Sequence, residues 1–158
     1  MATAAPYVLF ELAGTAYALP SEAVLRMEMV EHVTPVPNAP AFVDGVVFSR
    51  GRVVPAVNLR RRFGFDKVAY DLRTRLIVVG HADRVVGLIV DSAREFVQIG
   101  ADAIQPPPEA MGGTSGHYLA GIATLNDKVI LIVDVGEVLN YAGGPAATPP
   151  NTLDRTGD

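Results

Sequence analysis

The side chains that could do chemistry are few and widely separated in this chain of 158 residues. His32, His81 and His117 are too far apart for the short ligand spacings of zinc sites. The chain has no cysteine, which excludes disulfides, thiolate metal sites and cysteine nucleophiles. Ser49 and Ser115 lie outside any GxSxG motif, and nothing in the sequence resembles a serine triad. We therefore expect no metal, no cofactor and no catalytic residue.

The acidic residues also favour structural roles. Five aspartates fall at turns or strand ends, where a carboxylate commonly caps or bends the backbone: Asp44, Asp83, Asp91, Asp127 and Asp134. Paired acid–base catalysis by these residues is less favoured. The segment Gly112–Gly116 superficially resembles a phosphate-binding loop, but it lacks a lysine and no apolar strand precedes it, so we interpret it as a flexible loop. An enzyme is the last of the three hypotheses that we consider.

The strands that must position any site form an internal repeat. Residues 45–59, GVVFSRGRVVPAVNL, match residues 121–135, GIATLNDKVILIVDV, without a gap. Each copy is predicted to hold five short strands and one terminal helix, capped by Asn58 in the first copy and by Asp134 in the second. Two copies of one supersecondary unit predict a mainly β protein made of two small barrels packed side by side.

The expected domain organisation follows the order of the copies. The polar stretch 65–73 carries no periodicity and separates them. We expect an N-terminal tail at 1–6, a first barrel at 7–66, a second barrel at 74–134, a C-terminal helix at 135–141 and a disordered tail at 143–158.

Composition limits the kinds of partner. Nearly half of the residues are apolar and the net charge is −4, so a core is available but a basic face is not. The sole basic run is Arg60-Arg61-Arg62, and only Phe48, next to Arg50 and Arg52, could stack on a base. No apolar run approaches the roughly 18 residues of a membrane span and no secretory signal is evident, so we expect a soluble protein without membrane insertion. A barrel that binds a peptide or nucleic acid remains the alternative.

Four stretches carry a family resemblance: YVLFELAGTAYALP, TPVPNAPAFVDGVVFSRGRVVPAVNLRRRFG, RVVGLIVDSAREFVQI, and IQPPP followed by YLAGIATLNDKVILIVDVGEVL. Over about residues 7–141 the chain resembles the CheW family, the coupling proteins that join chemoreceptors to a chemotaxis histidine kinase. The resemblance implies a single CheW-like domain of two SH3-like five-stranded barrels, with no catalysis and no cofactor. It also implies two partners, the regulatory domain of a CheA-type histidine kinase and the cytoplasmic tips of chemoreceptors, and a cytoplasmic protein recruited to membrane-associated receptor arrays.

The resemblance implies roles for individual residues as well. Arg50 and Gly51 match the family's arginine–glycine turn, a position associated with receptor coupling and kinase control. Val24 matches an apolar position near the receptor-contact region. Three further matches are glycines that permit close backbone approach or sharp bends: Gly45, Gly87 and Gly121.

Two departures from the family pattern affect the expected partner surface. Phe48-Ser49 stands where the family often has Asn-Leu, and Arg26 replaces an acid that can pair with the turn arginine. Strand alternation places Val24, Arg26, Glu28 and Val30 on one face and Leu25, Met27 and Met29 on the other. We therefore hypothesise that Glu28 takes over the pairing with Arg50, an exposed pair worth only ~0–1 kcal/mol that would orient the arginine. The predicted partner-binding residues are Val24, Arg26, Glu28, Phe48, Arg50 and Gly51. These departures are compatible with a specialised system that controls pili or another output instead of flagella.

Overall fold

The computed structural model describes residues 4–107 and 117–141, which form a mainly β protein with two four-residue helices. The strands are β1 (Ala4–Leu12), β2 (Thr15–Pro20), β3 (Val24–Met29), β4 (Val43–Ser49), β5 (Arg52–Asn58), β6 (Arg75–His81), β7 (Arg84–Val90), β8 (Ser92–Gly100), β9 (Ile104–Gln105), β10 (Leu119–Leu125) and β11 (Lys128–Val133). Helix α1 (Leu59–Arg62) follows β5 and helix α2 (Val135–Val138) follows β11. The predicted tail 143–158 and loop Gly112–Gly116 lie outside the described residues.

Two local predictions need adjustment at the chain ends. Strand β1 begins at Ala4, so residues 4–6 are not a tail: they pair with residues 98–100 of β8. The C-terminal helix is shorter than 135–141, because the backbone of Leu139 already caps it. Both predicted helix caps are present: the Asn58 side chain accepts from the Arg61 N–H, and the Asp134 side chain accepts from the Glu137 N–H.

The strands form two sheets, one of six strands in the order β8-β1-β2-β11-β10-β9 and one of five in the order β3-β6-β7-β5-β4. The five-stranded sheet closes where the segment after β3 returns to β4, with Thr34 N–H to Val46 O at 2.9 Å and Val46 N–H to Thr34 O at 2.8 Å. The six-stranded sheet closes in the same way, because β9 follows β8 and pairs with β10. The prediction of two small barrels is therefore confirmed, and the two-residue strand β9 accounts for the sixth strand.

The barrels do not follow the two copies of the repeat, so the boundaries 7–66 and 74–134 are wrong as barrel limits. The β1–β2 hairpin of the first copy belongs to the six-stranded barrel, and the β6–β7 hairpin of the second copy belongs to the five-stranded barrel. Each hairpin lies between the third and last strands of the other copy, through parallel pairing of β2 with β11 and of β7 with β5. Strand β1 alternates in burial and β6 and β7 are continuous apolar runs, but these patterns predict only that the segments are strands and do not specify which barrel each hairpin joins.

The two copies of the repeat nevertheless share irregularities of strand register at corresponding residues. The β4–β5 register shifts between Val43 and Gly45, and the β10–β11 register shifts between Leu119 and Gly121, at corresponding positions. Such shifts mark bulges that bend a strand and increase its twist, which a small closed barrel requires.

At all three of the family glycines a neighbouring group occupies the space of a side chain. A Cβ on Gly45 would overlap the carbonyl oxygen of Thr34, where the barrel closes. A Cβ on Gly121 would lie 2.7 Å from Ile104 Cγ2, and one on Gly87 would lie 2.6 Å from Leu76 Cδ1. The close approach of neighbouring backbone at Gly45, and of neighbouring side chains at Gly87 and Gly121, therefore requires the absence of a side chain at these positions.

Three clusters of buried apolar side chains hold the fold together. The largest lies between the barrels and takes residues from both, among them Phe10 and Leu19 from one and Ile77 and Leu88 from the other. Two smaller clusters fill the barrel interiors, one around Leu76 and the other around Ile132. Each large apolar side chain that is fully buried stabilises the protein by about 1.5–3 kcal/mol, so the shared cluster strongly resists separation of the barrels.

Candidate functional site

The β4–β5 hairpin ends in the Arg50-Gly51 turn, which projects from the five-stranded barrel. Ser49 pairs with Arg52, and the two residues between them have φ angles of 50° and 82°, as a type I′ turn requires. Arginine adopts this left-handed conformation at a cost of about 1–2 kcal/mol. The guanidinium of Arg50 is exposed, and so is the cross-strand pair beside it, Phe48 at 76% and Val53 at 63%.

A bulge in β3 changes which residues share a face. The register against β6 shifts between Val24 and Arg26, so Val24 packs against the cluster between the barrels. Arg26 and Glu28 instead lie opposite Val78 and Leu76, two residues of the barrel interior. Cross-strand neighbours lie on the same face. The expectation that Val24 shares a face with Arg26 and Glu28 is therefore wrong, because alternation is interrupted at the bulge.

Arg26, Glu28 and Ser49 form one hydrogen-bonded network across the gap between β3 and β4. Arg26 Nε donates to Glu28 Oε2 at 2.8 Å, and Arg26 Nη2 donates to Ser49 Oγ at 2.7 Å. Ser49 Oγ, which is buried, donates in turn to Glu28 Oε2 at 2.8 Å. No backbone pairing joins β3 to β4 within the described residues, so these side chains link the two strands.

The network does not include the hypothesised Glu28–Arg50 ion pair. Within residues 4–107 and 117–141, the salt-bridge partner of Glu28 is Arg26, and no carboxylate lies within 4.0 Å of the Arg50 guanidinium. Burial tends to raise the pKa of Glu28, but hydrogen bonds from Ser49 and Arg26 and the charges of Arg26 and Arg50 lower it overall. Arg50 therefore acts on Glu28 only through its charge.

A concave pocket of about 570 Å³ lies between the end of β3 and strand β4. Glu28, Phe48 and Arg50 line it together with Met29 and Val53. Of the six predicted partner-binding residues, the structure therefore brings three together here. The other three are placed differently: Arg26 behind the pocket in the network, Gly51 at the turn, and Val24 against the core between the barrels.

The outer face of β3 carries an apolar stripe that the sequence reasoning did not assign to partner binding. Leu25, Met27 and Met29 are between 38% and 52% exposed. Met27 pairs with Ile77, a residue of the cluster between the barrels, so the stripe continues that cluster to the surface. In the second copy Phe96 of β8 is likewise exposed beside a residue of this cluster. The sequence pattern that could have revealed this stripe is that of β3, whose charged side chains share the face toward the barrel interior while its long apolar side chains share the outer face.

The basic run is engaged within the protein instead of forming a free basic face. Arg60 pairs with Asp91 through two hydrogen bonds, of 2.8 and 2.7 Å. Arg62 donates to the carbonyl oxygen of Val138 at 2.8 Å and lies over the ring of Phe42. With two of its three arginines committed in this way, the run does not favour nucleic-acid binding.

Three of the five aspartates singled out in the sequence contact the backbone or neighbouring side chains, and the other two lie in hairpin turns. Asp83 and Asp127 lie in hairpin turns at positive φ, while Asp134 caps α2. Asp44 accepts from Asn58 and Tyr70 and pairs with Lys67, and Asp91 pairs with Arg60. Among the described residues no group of three or more His, Asp or Glu side chains could hold a metal ion. The helices in that part of the chain are too short to cross a membrane.

Comparison with known proteins agrees with this architecture. The family model described as "CheW-like domain" matches residues 6–143. The chemotaxis protein CheW of Klebsiella aerogenes is 31% identical over 134 residues, which covers 85% of this chain and 81% of that protein. Protein FrzA of Myxococcus xanthus is 29% identical, with 86% of each chain covered. The crystal structure of the scaffolding protein TtCheW from Thermoanaerobacter tengcongensis superposes with a TM-score of 0.83 at 29% identity, over 92% of this chain and 99% of that one.

Proposed function

Because this chain belongs to the CheW-like family, we propose that it is a non-enzymatic chemotaxis adaptor in the cytoplasm that couples chemoreceptors to a CheA-type histidine kinase. The observation that carries the proposal is the family match over residues 6–143, which includes both barrels and the Arg50-Gly51 turn. The residue-level chemistry supports the proposal, because Asp44, Asp91 and Asp134 and two of the three arginines of the basic run are engaged in structural contacts. What the surface offers to other proteins is shape, apolar contact and a few charges.

The proposed mechanism is geometric. One barrel docks on the regulatory domain of the kinase, which the family resemblance implies to be built of similar barrels. In this proposal the surface formed by the pocket and the apolar stripe holds the receptor's helical tip, with Leu25, Met27 and Met29 as its apolar contacts and Arg50 nearby. A rigid shared core between the barrels keeps the two partners at a fixed relative position.

Signals pass in this proposal by a shift of populations. A receptor conformation that contacts the adaptor differently changes the free energy of the kinase states to which the adaptor is bound. Adaptor interfaces of this kind are often modest in size, so we expect micromolar pairwise affinity, and recruitment into receptor arrays would increase the effective affinity through multivalency.

The direct test is a titration of the full chain against two purified probes. One is the regulatory domain of the CheA-type kinase encoded in the same genome, and the other is a chemoreceptor cytoplasmic fragment from that genome. We expect wild type to bind both, and Met27→Glu to weaken receptor binding at least tenfold by placing a charge in the apolar stripe.

The control is Leu72→Glu, because Leu72 is highly exposed in the stretch between the copies and belongs neither to the lining of the pocket nor to the apolar stripe. It should leave both affinities unchanged. If wild type binds neither probe, and instead is retained on single-stranded nucleic acid in a salt-dependent way, the adaptor function is wrong.

A further inference from the structure

We propose that His117 is a pH-sensitive latch: when protonated, its imidazolium binds the carboxylate of Glu137 and fastens helix α2 to the segment that enters β10. The contact joins the two ends of the β10–β11 hairpin, because His117 lies two residues before β10 and Glu137 lies in α2, which follows β11. The inference goes beyond the proposed adaptor function and does not depend on it.

The first observation is a buried carboxylate oxygen without a hydrogen bond. Oε1 of Glu137 is shielded from solvent, and in the described part of the chain it is the only buried side-chain oxygen or nitrogen that lacks a hydrogen-bond partner. Buried polar atoms are almost always hydrogen-bonded, so this exception needs a physical reason. His117 Nε2 lies 2.8 Å from the oxygen, close enough for an ion pair, although the contact lacks the alignment of a full hydrogen bond. The imidazole is therefore the group placed to satisfy this oxygen.

The strength of the contact depends on the charge of the imidazole. A neutral imidazole carries its proton on one ring nitrogen only, whereas an imidazolium carries protons on both and adds a full charge to the hydrogen bond. Histidine side chains ordinarily change charge between about pH 5 and 8, a range in which glutamate side chains are ordinarily ionised. The ion pair between His117 and Glu137 is therefore complete at the acidic end of this range and is lost as the pH rises through it.

Two arginines also contact α2, but they bind its backbone. Arg62 of α1 donates to carbonyl oxygens of α2, and Arg84 of β7 donates to the carbonyl oxygen of Leu139 at 2.6 Å. Neither guanidinium lies within 4.0 Å of the Glu137 carboxylate, whose salt-bridge contact within residues 4–107 and 117–141 is with His117. The arginines therefore do not replace the imidazolium as the counter-charge of this carboxylate.

His81 and Asp134 are the other titratable groups that face α2. A Cβ on Gly136 would lie 3.0 Å from His81 Nε2 and 3.4 Å from Asp134 Oδ1, so the second imidazole packs on the helix where the glycine leaves room. Asp134 Oδ1 accepts from the N–H of Glu137 and caps the helix. His81 has no salt-bridge contact in the part of the chain that the structure describes, so its protonation forms no comparable ion pair.

The latch acts on a contact that also involves α1. The carbonyl oxygen of Tyr118, which follows His117, accepts from the N–H of Asp134 at 2.8 Å, and the ring of Tyr118 stacks on Phe63 just after α1. The same ring meets the His117 imidazole edge to face, with 5.3 Å between ring centres. An ion pair between His117 and Glu137 therefore holds the entry of β10 against α2 and reduces local opening of that helix.

The test compares full-chain variants with wild type at about pH 5.5 and about pH 8.5, on either side of the range in which histidine changes charge. His117→Gln keeps a neutral donor and removes the titratable group. At the lower pH it should reduce the thermal midpoint by about 1–3 °C, because the lost pair is partly exposed. Amide exchange at Val138 and Leu139, whose N–H groups close α2, should accelerate about two- to fivefold. Both differences should nearly vanish at the higher pH.

A double-mutant cycle shows whether the two side chains act on each other. At the lower pH His117→Gln should have almost no effect in a chain that already carries Glu137→Gln, because the charged partner is gone. His32→Gln is the matched control: His32 lines the pocket between β3 and β4, so its replacement should leave exchange in α2 unchanged at both pH values. His81→Gln reports on the second imidazole at the helix and should change exchange there equally at both pH values.

Three results would overturn the proposal. If His117→Gln has the same effect at both pH values, including no effect at either, the charge of the imidazole does not hold α2. If His117→Gln and Glu137→Gln are fully additive at the lower pH, the two side chains are not partners. If the pH dependence is lost in His81→Gln and kept in His117→Gln, the sensing residue is wrong. None of these measurements uses a kinase domain or a receptor fragment, so their outcome is separate from that of the adaptor function.

Discussion

Arg60 and Asp91 form a bidentate ion pair that joins the helix ending the first copy to the junction between β7 and β8 in the second. The same carboxylate accepts from the backbone N–H of Ala13 at 2.9 Å, and the N–H of Asp91 donates to the carbonyl oxygen of Glu11 at 3.1 Å. Asp91 therefore ties together three segments that belong to both barrels. Such a contact resists the motion that would separate the exchanged hairpins, so it should contribute to stability more than an ordinary surface pair does.

We predict that Asp91→Asn lowers the free energy of unfolding by about 1–3 kcal/mol, because it leaves the Arg60 guanidinium without its charged acceptor. The measurement is urea denaturation followed by circular dichroism. The matched control is Glu11→Gln, which removes the more exposed pair between Glu11 and Arg94, with side-chain exposures of 32% and 57%, and should cost no more than about 1 kcal/mol. Equal losses of unfolding free energy in the two variants would show that the contacts of Asp91 with three segments contribute no more to stability than an ordinary surface ion pair does.

The lowered pKa of Asp91 leads to a prediction about how the stability of the protein depends on pH. Burial tends to raise the pKa of Asp91, but hydrogen bonds from Arg60 and the Ala13 N–H, together with the charges of Arg60 and Arg73, lower it overall. A folded-state pKa below the unfolded value of about 3.9 stabilises the protein fully above that value, and this contribution is lost as the pH falls through the folded pKa. The stability gap between wild type and Asp91→Asn should therefore be constant from about pH 5 to 7 and shrink below about pH 4. A gap that widens on acidification would contradict this sign.

The local features of the fold could be predicted from the sequence because they depend on neighbouring residues. The Arg50-Gly51 and Asn126-Asp127 turns have positive φ at both central positions, and Asn58 and Asp134 cap the helices as predicted. Each of these features follows from the conformational preference of one or two residues and from the alternating strands on either side.

The tertiary features could not be predicted in the same way. The exchange of hairpins depends on which strand pair packs better beside β3 or β8, a long-range choice that the periodicity within one hairpin does not specify. The bulge after Val24 adds one residue to a strand that looks regular in the sequence, and it turns Val24 toward the core between the barrels while Arg26 and Glu28 keep the shared face that alternation predicts. That Glu28 pairs with Arg26 and Ser49, and not with Arg50, depends on side-chain packing across the gap between β3 and β4, which strand alternation does not reveal.

The loss of stability caused by replacing a glycine with alanine should depend on which atoms the new Cβ contacts. Gly45→Ala should be the most damaging, with a loss above about 3 kcal/mol or failure to fold, because the Thr34 carbonyl oxygen occupies the space and the backbone cannot easily move at the closure of the barrel. Gly121→Ala should cost less, since the nearest atom is the Ile104 side chain. Gly14→Ala, with open space but φ of +81°, should cost about 1–2 kcal/mol. Thermal midpoints of the three variants check this order, and a Gly45→Ala protein as stable as Gly14→Ala would show that the barrel closes differently.

The last prediction concerns Arg62, a residue of α1 whose side chain joins α1 to the end of α2. Its guanidinium donates to the carbonyl oxygen of Val138 at 2.8 Å and to those of Glu137 and Asn140 at 3.3 Å, so it satisfies acceptors that a helix end otherwise leaves open. It also lies 4.5 Å from the ring centre of Phe42, a contact that combines cation–π attraction with burial.

Arg62→Lys keeps the charge but loses the planar, branched set of donors, so we expect the free energy of unfolding to fall by about 1–2 kcal/mol. Amide exchange should accelerate at Val138 and Leu139, whose N–H groups close the α2 turn. Arg61→Lys is the matched control, since Arg61 is the exposed neighbour in the same run and should change neither quantity. Unchanged exchange in Arg62→Lys would mean that positive charge alone holds the end of α2. Faster exchange there with normal protection in β1 would show instead that the donor geometry of the arginine keeps the C-terminal segment attached to the first copy.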